Sequence, residues 1–132
     1  MIYIIDDDIG VRNAISLSLK TLDIECEHFG SLTEFNEYFR NGETLATPIY
    51  FDARVDVLIL DYALGEMSAL PLLESISRQY DTAKSIKTII ISGWSREQIE
   101  NKTGVRFEYQ FLHKPFGLAD LEFALNALGV KT

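Results

Sequence analysis

The chain has one cysteine, three prolines and little positive charge, and each shortage removes a class of answer. A lone Cys26 cannot form an internal disulfide, so the chain reads as a protein of the reducing cytoplasm. Twelve basic residues against twenty acidic ones give a net charge of −8, which argues against direct binding to nucleic acid, whose backbone demands a basic face. No apolar run approaches the roughly 18 residues of a membrane span. The first apolar run begins at Met1 itself, which leaves no room for a signal peptide, and no membrane association is expected. There is no internal repeat, no low-complexity tract and no glycine-rich nucleotide-binding loop. What remains, 132 residues with 47% hydrophobic and 24% charged, is one globular domain with a single core.

Five β-branched apolar runs read as strands: "IYIID", "IECEHF", "DVLILD", "KTIIIS" and "EYQFLHK". "VLIL" and "TIIIS" hardly alternate, as in strands covered on both faces, whereas "IECEHF" alternates and suits a position nearer an edge. Helical spacing fills the gaps. Ile15, Leu19 and Leu22 share one face of "VRNAISLSLKTL", and Leu118, Leu121, Leu125 and Leu128 share one face of "LADLEFALNAL". "SLTEFNEYF", "ALPLLESISRQY" and "SREQIENK" complete five βα repeats, which predict an α/β fold, doubly wound around a parallel sheet. The connection before "DVLILD", extended near residues 41–54, is longer than usual and is read as surface elaboration of the single domain 1–132.

In such a sheet, ligands bind beyond the carboxyl ends of the strands. The first strand runs into Asp6, Asp7 and Asp8; the third ends in Asp61, the fourth in Ser92, and the fifth in Lys114 followed by Pro115. Asp8 precedes "IGVRNAI" and suits a helix N-cap. The remaining acids need a reason, because two unit charges about 5 Å apart repel by roughly 1 kcal/mol in water and roughly 3 kcal/mol at an effective dielectric of 20. Carboxylates converging from separate strands bind a hard divalent cation, and Mg²⁺ with its retained waters suits a phosphate ligand.

The residues "IIDDDIGVR", "LILDYALGEM", "IIISGW" and "FLHKPF", in this order and at these intervals, resemble a response-regulator receiver domain of two-component signalling over essentially the whole chain. The resemblance implies a flavodoxin-like five-stranded parallel sheet of order 2-1-3-4-5 with five flanking helices. It implies Asp61 as phosphoacceptor, with Asp6, Asp7, Asp61 and the backbone carbonyl of Ala63 as Mg²⁺ ligands. Ser92 would be the switch hydroxyl and Lys114 the phosphate-contacting amine. Phe111, three residues before the lysine, stands where the family places its switching aromatic, without a hydroxyl to fix either rotamer. Ala63, Gly93 and Trp94 flank the expected phosphoryl position; a non-polar Ala63 cannot orient water, Gly93 leaves room for a donor, and a bulky Trp94 can shield the group.

The implied phosphoryl donor is a sensor histidine kinase or phosphotransfer protein. The implied output is a changed surface over "SREQIENK", "EYQFL" and "GLADLEFAL", read by a downstream partner, an effector domain or a second copy in a phosphorylation-dependent dimer. Phe123 lies off the leucine stripe there. Only "GVKT" follows the last helix, so no effector domain is expected within this chain. The loop after Asp61 departs from the usual pattern, with Gly65 and Glu66 where Pro-Gly is typical and Ala69 where glycine is usual. Neither His28 nor His113 is expected to bind metal or catalyse. Two other readings stay open: a phosphorylation-independent receiver-like binding module, and a haloacid-dehalogenase-like phosphatase using the Asp-x-Asp of "DDDIG", in which Asp6 would be phosphorylated.

Overall fold

The computed structural model describes residues 1–31, 33–35, 37–38, 57–64, 67–68, 87–104 and 109–132. Its sheet strands are β1 (Ile2–Ile5), β2 (Cys26–Phe29), β3 (Val57–Asp61), β6 (Lys87–Ser92) and β7 (Gln110–His113). A two-residue antiparallel pair, β4 (Ala63–Leu64) with β5 (Met67–Ser68), follows β3. The five sheet strands are all parallel in the order β2-β1-β3-β6-β7, which is the predicted 2-1-3-4-5 arrangement once the short pair is set aside. Every residue of β1 and β3 is buried, while β2 and β7 at the two edges are partly exposed. Continuous apolar runs thus occupy the centre and the alternating "IECEHF" an edge, because central strands have neighbours on both sides and helices on both faces.

Alternation along the strands divides the core in two. Ile2, Ile4, Val57, Ile59, Ile89 and Ile91 pack with Ile15 and Leu19 of α1 (Ile9–Thr21) and with Leu121, Ala124 and Leu125 of α3 (Leu118–Ala127). On the opposite face, Tyr3 meets an aromatic group of Phe29, Phe35 and Tyr38. The structure differs from the predicted stripe at Leu118, which is 38% exposed because it opens α3 before the helix has turned onto the sheet.

Helix boundaries follow local chemistry. The Asp8 side chain accepts from Gly10 N at 2.8 Å and Val11 N at 3.3 Å, satisfying amide groups that the first turn of α1 leaves unpaired. Ser95 and Gln98 form a capping box at the start of α2 (Arg96–Thr103), and Gly104, at φ 71°, ends it in the left-handed conformation. Residues 33–35 and 37–38 are also helical, so helix stands at four of the five predicted places. The fifth, "ALPLLESISRQY", and the connection near 41–54 lie outside the described residues. Among the described residues no helix is long and apolar enough to cross a membrane.

Candidate functional site

The chain leaves β1 toward β2 on one side and toward β3 on the other, which opens a crevice between β1 and β3 at their carboxyl ends. Ile5 pairs with Leu60, so Asp6 and Asp61 emerge side by side there. Asp6 and Asp61 are buried, Asp7 is exposed, and one oxygen from each lies within 4.8 Å of the others. From the far side of β6, Lys114 reaches across the sheet end. Its Nζ donates to Asp6 Oδ2 at 2.9 Å and lies 3.5 Å from Asp61 Oδ2. Asp6 Oδ1 accepts from Asp8 N at 2.8 Å, so both oxygens of this buried carboxylate are engaged. Consecutive acids therefore take separate parts: Asp6 anchors, Asp7 faces solvent at the cluster, and Asp8 caps α1.

The electrostatics leave the cluster short of positive charge. Burial, then the neighbouring Asp6, push the Asp61 carboxyl up from its ordinary 3.8 to about 6, against the opposing pull of Lys114 and a hydrogen bond from Ala63 N. Burial alone would lower the Lys114 ammonium, but its hydrogen bond to Asp6 and the fields of Asp61 and Asp6 outweigh that and hold it above the usual lysine value. Three converging carboxylates with one cation between them suit a hard divalent ion, whose charge would offset the repulsion that raises Asp61. The donor set thus fits Mg²⁺ held by Asp6, Asp7 and Asp61. Ala63 lies beside them at the start of β4.

The remaining predicted residues gather on the β6–β7 side. Ser92 is buried at the end of β6, and its Oγ accepts from Trp94 N at 2.9 Å. Lys114 N donates to Ser92 O at 2.7 Å. Gly93 is exposed, and a Cβ built there meets nothing within 4 Å. Trp94 is 52% exposed with the Lys102 ammonium 4.8 Å above its ring, and the half-buried Phe111 carries the Arg96 guanidinium at 5.7 Å. Arg96 also donates to Tyr109 O, tying α2 to the entry of β7. His113 points to the outside of its strand, where its Nε2 lies 3.0 Å from Gly93 O. Phe123 is 76% exposed on α3.

The sequence reading did not single out Arg12. Its Nη1 donates to Asp6 O at 2.6 Å and its Nε to His28 Nδ1 at 3.2 Å, joining α1, the end of β1 and β2. Its place one turn after the acids was the only available signal.

Solved structures with the same fold include the chemotaxis protein CheY4 of Vibrio cholerae (18% identity, 96% of each chain covered, TM-score 0.70). The receiver domain of NtrX from Brucella abortus matches at 21% identity over 99% of this chain and 100% of that one, TM-score 0.70. A signal receiver domain from Bermanella marisrubri matches at 22% over 97% and 96%, TM-score 0.68. No curated protein sequence matches. The family model for the response regulator receiver domain matches residues 2–126, from the first residue of β1 nearly to the end of α3. The chain belongs to the family of response regulator receiver domains.

Proposed function

We propose that this chain is a cytoplasmic signalling switch whose chemistry is reversible, Mg²⁺-dependent phosphorylation of Asp61. The observation that carries this reading is the Asp6–Asp7–Asp61 cluster with Lys114 bridging Asp6 and Asp61. A carboxylate oxygen of Asp61 attacks the phosphorus of a phosphohistidine on a sensor histidine kinase or phosphotransfer protein. The new P–O bond forms as the P–N bond breaks, and its electron pair returns to the imidazole. Such transfers depend on positioning and charge neutralisation rather than on further covalent chemistry. Asp6, Asp7, Asp61 and the Ala63 carbonyl would hold Mg²⁺, whose charge would supply part of that neutralisation. Lys114, already 3.5 Å from Asp61, supplies the rest at a phosphoryl oxygen. A raised Asp61 also holds a proton more readily than an ordinary aspartate, and a divalent charge beside it would favour the carboxylate form that attacks.

The phosphoryl group brings close to two negative charges and three acceptor oxygens. Ser92 answers it by donating a hydrogen bond from its hydroxyl to a phosphoryl oxygen, drawing the Gly93–Trp94 segment inward, and Phe111 follows by repacking. The surface of α2, β7 and α3, including Phe123, then changes for a downstream partner, an effector domain or a second copy. Val11, Ala14 and Ser18 of α1 and Lys114, Pro115 and Phe116 line a groove of about 390 Å³ between α1 and the segment after β7, giving a donor domain an approach next to the site.

The phosphatase reading needs Asp6 as nucleophile, and the full burial of Asp6 with both oxygens engaged argues against that role. The test is intact-mass analysis after incubation with Mg²⁺ and acetyl phosphate. A single adduct that is lost in Asp61→Asn and in EDTA is the expected result. An adduct that survives Asp61→Asn but not Asp6→Asn would transfer the chemistry to Asp6. No adduct in the wild type would leave a phosphorylation-independent binding module.

A further inference from the structure

We propose that Arg12 is a positioning residue for the metal site, that it acts through the Asp6–Asp7 peptide, and that His28 orients it. The inference rests on the Mg²⁺ site proposed above. Asp6 and Asp7 reach the cluster by different means. The Asp6 carboxylate is fixed directly, by Asp8 N on one oxygen and Lys114 Nζ on the other. Asp7 is exposed, and its side chain leaves the backbone immediately after the Asp6 carbonyl. The direction of Asp7 therefore depends on the plane of the peptide joining the two residues, and that plane is free to rotate only as far as the Asp6 carbonyl can move.

Arg12 limits that movement. Its Nη1 meets Asp6 O at 2.6 Å, a charge-assisted bond on the short side of the normal range. The planar guanidinium spends a second donor, Nε, on His28 Nδ1 at 3.2 Å, which fixes its rotation. Because Arg12 keeps its protons, His28 must present a lone pair at Nδ1 and carry its hydrogen on Nε2. The space for the guanidinium comes from Gly30. A Cβ built on Gly30 would lie 3.0 Å from Arg12 Nη1 and 3.5 Å from Glu34 Oε1, and Glu34 in turn accepts from Gly30 N at 2.8 Å. Asp6 N donates to Phe29 O at 3.1 Å, so the same peptide region is held to β2 from its other side. One cation on α1 thus braces the turn that aims Asp7, and the edge strand braces the cation. Groups that orient metal ligands from outside the coordination sphere commonly change metal affinity by tenfold or more when removed.

The test is an MgCl₂ titration of the phosphoryl-free protein, read by the fluorescence of Trp94, the only tryptophan in the chain, beside metal-free thermal melts of the same variants. Arg12→Ala is expected to weaken Mg²⁺ about tenfold, and Arg12→Lys, which can reach Asp6 O but not also His28, about threefold. His28→Leu should lose about threefold and His28→Gln, which restores an acceptor, should recover the wild-type value. Ile15→Val, a core change away from the site, destabilises the apoprotein without moving the Mg²⁺ midpoint, so loss of affinity and loss of stability separate. A wild type that binds Mg²⁺ together with a folded Arg12→Ala that binds it equally overturns the positioning role alone. Should Arg12→Ala fail to fold, His28→Leu with wild-type affinity overturns it instead. A wild type with no saturable Mg²⁺ response overturns the metal-site reading itself and this inference with it.

Discussion

The two sides of the site are built from different materials. On the β1–β3 side, the buried Asp6 carboxylate is fixed by hydrogen bonds from Asp8 N and the Lys114 ammonium, and Asp61 lies buried beside it at the ends of the central strands. On the β6–β7 side, Trp94 and Phe111 are only partly covered, and each carries a cation from α2. Rigid polar geometry suits phosphoryl transfer to a defined oxygen, whereas a cation over an exposed aromatic ring is a weak contact, worth about 0.5–1 kcal/mol, that can be exchanged for another at small cost. On the proposed function, chemistry and readout would fall to neighbouring strands, with β7 shared by both.

Five experiments break or sharpen that contrast. The largest effect is expected from Asp61→Asn, which should abolish the phosphoryl adduct in mass spectra while leaving the far-UV circular dichroism intact. Next, Lys114→Ala should slow phosphorylation by acetyl phosphate about 100-fold, since it removes the charge poised over the acceptor. It should also cost the apoprotein about 2 kcal/mol in urea melts, because buried Asp6 loses its cation.

The third concerns pH. A folded-state Asp61 raised to about 6 from 3.8 binds its proton more tightly than the unfolded chain does. Its contribution to stability is fully present below pH 3.8 and is lost as pH rises through about 6. The gap corresponds to about 3 kcal/mol at most, so metal-free Asp61→Asn should show a flatter stability profile between pH 4 and pH 7 than the wild type. Saturating Mg²⁺ should restore stability to the wild type at pH 7 and not to the variant.

Smaller effects test the other side. Lys102→Met should cost about 0.5–1 kcal/mol and alter the Trp94 emission, leaving Mg²⁺ binding unchanged. Smallest of all, Asp8→Ser should be nearly silent in melts and in phosphorylation, because serine caps a helix about as well as aspartate. A large loss of Mg²⁺ affinity in Asp8→Ser would show that the third acid serves the cluster after all.

What was legible in the sequence was whatever depends on one strand at a time. "VLIL" and "TIIIS" announce central strands because burial on both faces leaves no room for polar alternation, and the residues that end them fall at the site by topology alone. Asp8 was legible as a cap because capping is local. Contacts between elements were not. Arg12 with His28 depends on how α1 lies against the edge strand β2, and Lys102 over Trp94 depends on the direction in which α2 leaves its cap. The β4–β5 pair after Asp61 was obscured because two residues per strand carry no period. Leu118 follows the leucine spacing yet is exposed, since spacing describes a helix face and not where the helix first touches the sheet.

The bond from Lys114 N to Ser92 O, 2.7 Å long, has a mechanical meaning. It pins the main chain at the end of β6 to the strand that carries the lysine, so Ser92 cannot travel as a whole without breaking it. In the proposed switch, displacement would begin one residue later, at Gly93, where no side chain obstructs rotation and where the carbonyl sits against His113 Nε2. The sheet end would then act as a fulcrum, with Trp94 and the start of α2 as the lever arm. On that reading, a small swing of one hydroxyl at the fulcrum would become a larger sweep at the far end of the arm.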